Sequence, residues 1–170
     1  MADHARRSTP GDAPHLTRFA AMTMDERWLG RTPEEMLDDF HWFRGEGFDL
    51  VVEDLAGLTA TGDGPPVLAE GFRLLPHLVA PLLAAPHHAV WLLPTPAVRR
   101  AALESRGDLW SVAGRTSDPE RALAALLERD HLFTERLRAE CAALSLPTVD
   151  VDPDLSEDAL TTHVAATLHL

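Results

Sequence analysis

Apolar positions along this 170-residue chain follow two patterns, helical spacing and short unbroken runs. The unbroken runs are Val67 to Ala69 and Ala89 to Leu93. Runs that short, without alternation, read as strands buried on both faces, as in a parallel sheet covered by helices. Between them Leu74 to Leu83 has helical spacing, with Pro76 and Pro81 confining that helix to about two turns. The stretch 65–95 is therefore expected to form a strand, helix, strand unit around which the chain is organised. In such sheets ligands gather at the carboxyl ends of strands. The first predicted strand ends in Glu70-Gly71, an acid followed by a residue that lets the backbone turn sharply, which makes Glu70 the leading candidate for a site.

The flanking segments read mainly as helices. Residues 1–30 are proline-dotted and are expected to be mostly loop, with a short helix at most over Leu16 to Met24. Thr32-Pro33-Glu34-Glu35 is a capping box with proline in the first turn. The spacing of Met36, Leu37, Phe40 and Phe43, repeated by Phe48, Val51, Val52, Leu55 and Leu58, predicts one long helix weakened at Gly45 and Gly47. A strand from Phe48 to Leu55 stays open as the alternative. Thr95-Pro96 starts a helix that stops near Gly107, and residues 108–117 lack periodicity and read as a mobile loop. Ser117 and Glu120 form a second capping box, opening a helix to about Leu144 that buries Leu126, Phe133, Leu137 and Cys141. A short strand over Thr148 to Val151 and a terminal helix over Ala159 to Leu168 complete a single domain over 1–170. It is α/β, with a mainly parallel sheet flanked by helices.

A formal charge of -12 argues against a nucleic-acid or anionic-membrane partner. Eight of the fifteen arginines nevertheless fall between positions 99 and 138, where they suit a small polyanion such as a nucleotide phosphate, or else line solvated helix faces. Lys, Ile, Asn, Tyr and Gln are absent, as a G+C-rich bacterial genome would produce. Without lysine the chain contains no phosphate-binding loop of the form G-x-x-x-x-G-K-[ST]. Cys141 is the only cysteine, so no disulfide forms within the chain. Lacking an apolar run of membrane-spanning length or a signal-peptide core, the chain is expected to be cytoplasmic. His87 and His88 are adjacent and would point to opposite sides of a strand, so a metal site of histidines is not expected.

In order, the segments MTMDERWL, TPEEML, PVLAEG with LLPHLVAPL, AVWLLPTP, SDPERALAALLERDHLF and LPTVDVD span nearly the whole chain. Through their order and spacing it resembles the P-loop kinase superfamily, specifically the small actinobacterial nucleoside- or nucleotide-kinase-like proteins. The resemblance implies an ATP-dependent phosphotransferase that uses Mg2+ and acts on a small acceptor such as a nucleoside or nucleotide, with an arginine-rich lid over 97–138. Glu70 then holds the magnesium-bound water or orients the acceptor, or simply caps the following turn. Asp3 looks like the acid that takes the acceptor's proton, unless it belongs to a frayed end. Arg115, Arg121 and Arg129 are the lid candidates that offset phosphoryl charge, and Trp110 lies where it could cover a nucleobase.

The sequence departs from that pattern at its start. Proteins of this kind begin with a strand, the phosphate-binding loop, a helix and a second strand ending in an acidic motif, whereas this sequence opens at Met1-Ala2-Asp3-His4, as though at the end of that motif. It is therefore expected to be an N-terminally shortened copy with an incomplete P-loop-kinase-like fold, inactive in this form. Losing the central strand would leave inner strand edges unpaired at about 1 to 3 kcal/mol per group. The expected remedies are closure of the two flanking strands or a second chain in a homodimer. The alternative function is a non-catalytic module that binds a ligand or a protein.

Overall fold

Two threonines open helices by the same local chemistry. Thr23 Oγ1 accepts from the Glu26 amide at 3.3 Å while Glu26 Oε2 accepts from the Thr23 amide at 2.7 Å. Thr32 and Glu35 repeat the exchange at 3.2 and 2.8 Å. In this computed structural model, which describes residues 2–59, 66–106 and 112–170, these caps start α3 (Met24–Trp28) and α4 (Pro33–Asp39). They follow α1 (Ala2–Arg7) and α2 (Pro14–Ala21), so residues 2–30 are largely helical rather than mostly loop. The Thr23 capping box and the edge-to-face contact of Phe19 with Trp28, at 5.5 Å, outweigh the polar, proline-dotted character of the segment.

The expected long helix after Thr32 is broken. Phe40 turns extended, His41–Arg44 form a 3-10 turn, and Gly45 and Gly47 take left-handed backbone at φ +81° and +73° before α5 (Phe48–Thr59). The backbone angle favours glycine at Gly45, where a Cβ would sit 2.7 Å from a Leu78 methyl and push that side chain aside. The segment after Phe48 is a helix, which removes the strand alternative.

The central unit also differs from expectation. Val67 to Ala69 form no strand and are exposed, Leu68 to 85 %. The helix that follows is α6 (Pro76–Val79), continued by a 3-10 turn over Ala80–Leu82. The second run does form a strand, β1 (Trp91–Pro94), pairing in parallel with β2 (Thr148–Val151) from Trp91 opposite Thr148 to Pro94 opposite Val151. Among the described residues the sheet has these two strands only. Among the described residues no strand lies beside Val67 to Ala69 to offset the desolvation of its backbone, and the run stays in solvent. Its apolar character alone does not make a strand.

The crossover from β1 to β2 runs through α7 (Pro96–Arg106) and α8 (Pro119–Ala143). At 25 residues α8 is about 37 Å long. Its cap is Asp118, which accepts from the Arg121 amide at 3.2 Å, and not Ser117, whose own amide is committed to Asp25 Oδ1 at 2.8 Å. Ser156 caps the terminal helix, α9 (Glu157–Leu168).

Both hydrophobic cores form along α8. Ala122, Leu126 and Phe133 pack with Trp28, Met36, Phe40, Phe43 and Leu75, and Phe43 stacks on Phe133 at 3.7 Å and 10°. Cys141 packs with Trp91 and Leu93 of the sheet, and Leu137 touches both groups. Burial pushes the Cys141 thiol up to about 11, with the Glu140 charge adding to the shift. Ala113 is fully buried in the first core and Thr116 Oγ1 donates to its carbonyl at 2.6 Å, so these two residues of the expected loop 108–117 are packed while Gly114, Arg115 and Ser117 are exposed.

Phe133 is the largest apolar side chain that α8 places in the first core. Replacing Phe133 with alanine is expected to cost about 3 to 5 kcal/mol, measured as a lower urea midpoint, while Leu144→Ala, on an exposed position of the same helix's end, should change stability by less than about 1 kcal/mol.

Candidate anion-binding site

A buried carboxylate joins two arginines beyond the carboxyl end of β1. Thr95 follows the strand, its carbonyl accepts from the Arg99 amide, and Pro96 sits in the first turn of α7, so Arg99 emerges one turn after the strand ends. Its guanidinium donates through Nε and Nη2 to Asp130 Oδ2, both at 2.6 Å. Asp130 Oδ1 accepts from Arg129 Nε at 3.0 Å and Nη2 at 2.5 Å. Arg129 is 5 % exposed and Asp130 is 7 %. The Arg129 guanidinium lies 5.4 Å from the Trp28 ring, 5.2 Å from Phe40 and 5.4 Å from Phe43. Buried charge of this kind is tolerated because it is paired, hydrogen-bonded and faced by aromatic π-systems.

A second cationic group borders the same aromatic layer. Asp39 pairs with Arg18 and lies 3.8 Å from both Arg31 Nη1 and His15 Nδ1. Burial lowers the Arg31 pKa, and Asp39 opposes that shift. His41 is 2 % exposed, and neither of its buried ring nitrogens has a hydrogen-bond partner among the described residues. Burial pushes its pKa down to about 4 against the pull of Glu46. Glu46 itself accepts from the His15 and Leu16 amides at 2.9 Å, tying the 3-10 turn region to the start of α2.

An open cleft of about 470 Å³ runs between α3 and the start of α8. Arg121 lines it and donates to the Leu29 carbonyl at 2.9 Å. Its acids are already engaged: hydrogen bonds from Ser117, side chain and backbone, hold Asp25 below the usual carboxylate range, and those from Thr23, backbone and side chain, do the same for Glu26.

The residues predicted from sequence are thus dispersed. Asp3 lies in α1, its side chain outside the described residues, and Trp110 is also outside them. Glu70 is exposed in irregular chain just before Gly71, whose φ is +146°. Arg115 is exposed after the buried Ala113, and Arg121 is on the cleft. Arg129 lies inside the first core rather than on a lid face. The residues missed from sequence are Arg31, Asp130 and His41, and Arg99 was singled out only as one of the arginines crowded over 99–138. An Arg-Asp pair interrupting the apolar stripe of α8 was the available sign of the buried ion cluster.

His87 and His88 lie in a 3-10 turn, not a strand, with rings 4.6 Å apart, and His87 stacks on His169 at 4.2 Å. Glu128 and His131 have the i, i+3 spacing of a ligand pair on α8, but among the described residues no group of three His, Cys, Asp or Glu side chains is arranged to hold a metal ion. No helix among them is long and apolar enough to cross a membrane. Comparison with known protein families, with curated proteins and with solved structures finds no match to this chain.

His41 makes stability depend on pH. Its folded pKa of about 4 lies below the ordinary 6.5, so the unfolded chain binds the proton more tightly. Its neutral form is fully accommodated above pH 6.5, and stability falls as pH drops from 6.5 to about 4, by roughly 3 kcal/mol at most. Urea midpoints measured from pH 7.5 to 4.5 are expected to fall less steeply for His41→Leu than for the parent chain.

Proposed function

We propose that this chain is the arginine-bearing part of a P-loop-kinase-like phosphotransferase, which in complete form moves the γ-phosphoryl of ATP to a small molecule such as a nucleoside or nucleotide. One observation carries the reading: beyond the carboxyl end of a strand in a parallel pair, Arg99 is anchored on the buried Asp130 that also holds Arg129. Ligands of α/β sheets gather at that end, and arginine suits the planar, many-oxygen face of a phosphate. The order β1, α7, α8, β2 and the place of Arg121 on an open cleft agree with it.

The chain's own residues supply only part of such a site. The sequence has no lysine for the phosphates, and the described residues gather no cluster of acids at Glu70 for magnesium. In this reading Arg115 and Arg121 face the transferring phosphoryl group from the lid side, Arg99 and Arg129 set the field beneath it, and Glu70 orients the acceptor. The absence of lysine favours a second reading, a non-catalytic module that binds its ligand without transferring anything.

Phosphoryl transfer, measured by radiolabelled product formation in a form that carries a phosphate-binding loop ahead of residue 1, is expected to fall at least about a hundredfold in Arg115→Ala, the loss of one transition-state contact. Glu70→Ala should fall similarly. Unchanged rates in both variants would remove these site assignments. A form that binds Mg·ATP in calorimetry yet transfers nothing to nucleosides, nucleotides or water would leave the non-catalytic module.

A further inference from the structure

Two stretches of backbone lack a partner among the described residues, and each has what the other lacks. Residues 66–70 (PVLAE) are exposed at all five positions, belong to no helix or strand and make no backbone hydrogen bond there. The second stretch is the outer edge of β1. The Trp91 and Thr95 amides donate to the Pro147 and Val151 carbonyls, so by the alternation of a strand the N–H and C=O of Leu92 point away from β2. Among the described residues no third strand meets them. Buried backbone groups are nearly always paired, so this edge lies open to solvent, where it is a template for another strand.

The run and the edge agree in length, in side chains and in charge. A parallel strand with Leu68 beside Leu92 sets the Val67 carbonyl on the Leu92 N–H and the Ala69 N–H on the Leu92 carbonyl. Pro94 has no N–H, so the ladder ends there, at the length of the apolar run. Leu68 and Leu92, 85 % and 44 % exposed, cover each other in this register. The outer edge of β2 is the poorer choice. Among the described residues only Asp150 of Asp150, Asp152 and Asp154 pairs with an arginine, Arg138, so Glu70 would lie among like charges. Beyond β1, Arg99 and Arg129 share one acid, Asp130, and Arg100 meets Glu104, which leaves that end one charge positive.

We propose that residues 66–70 of one copy of this chain add to the outer edge of β1 in a second copy, as a third parallel strand. The same chain is the poorer donor because the exit of its run is pinned elsewhere. Phe72 rests on Trp42 and Phe43 at 5.3 and 6.2 Å, and Arg73 Nη2 donates to the Gly47 carbonyl at 2.8 Å. Swinging the run onto its own β1 would unseat both, whereas a second copy takes it as it stands. Exchange in both directions closes a dimer with two such strands. It also carries the partner's Glu70 to the end of β1 from which Arg99 emerges. The pairing rests on backbone and leucine contacts and does not depend on the phosphoryl-transfer reading.

The test is sedimentation velocity of the full chain from about 1 to 100 µM, where the mass is expected to rise from 18.6 kDa to twice that value. Leu68→Asp, which charges the leucine contact, and Ala69→Pro, which removes a ladder N–H, should each raise the dissociation constant at least about tenfold. Both positions are exposed and outside helix and strand, so the monomers should stay folded by circular dichroism. Leu82→Asp, at a 59 % exposed leucine outside the run, should leave the dimer intact. Two chains in a Cys141→Ser background, one with Leu68→Cys and the other with Leu92→Cys, should on mixing and oxidation give a disulfide between copies, well above either chain alone. If Cys141→Ser unfolds the chain, the sedimentation series decides. A chain that stays monomeric through about 100 µM, a dimer that survives both Leu68→Asp and Ala69→Pro, or a single chain with both new cysteines that closes the disulfide within itself would overturn the proposal.

Discussion

Asp130 is the point on which the rest of the molecule depends. One oxygen accepts from Arg99 at the start of α7 and the other from Arg129 on its own helix, and Arg129 in turn is faced by three aromatic rings from the N-terminal helices. A single buried carboxylate therefore holds the sheet crossover, the long helix and the aromatic layer in one arrangement. An ion cluster of this kind adds little net stability over a well-packed apolar substitute, but removing one partner leaves an uncompensated charge in the interior.

The buried charges are of both signs and paired. The chain is strongly acidic overall, yet the charges it buries most deeply include Arg129 beside Asp130, with Arg31 close to the surface nearby. A chain whose only long cations are arginines is suited to this. The guanidinium is planar, weakly hydrated and able to stack on rings while bonding two oxygens, where an ammonium would lose hydration it could not recover. A compositional habit of the sequence has thus become a structural resource in its interior.

What could be read from the sequence was local. The Thr32 capping box, β2, the reach of α8 and the terminal helix all follow from side chains within a few residues of one another. The failures share a cause in distant partners. Val67 to Ala69 has the composition of a buried strand, but a strand exists only where another edge meets it, and no local pattern reports that edge. The helix after Thr32 ends at Phe40, whose ring meets Phe19 and Trp28 from earlier segments. Of the candidate site, the crowding of arginines over 99–138 was visible, but their inward or outward direction was not. Arg129 is buried because Asp130 and three rings surround it, and the rings come from residues about a hundred positions earlier.

Cys141 gives the fold an internal clock. The thiol is fully buried where α8 meets the sheet, and its pKa is raised far enough that little thiolate exists at neutral pH. Being the only sulfhydryl in the sequence, it reacts with a disulfide reagent at a rate set by how often this junction opens, without competition from a second site. The colour change of one reagent thus times the separation of the long helix from the β-strands.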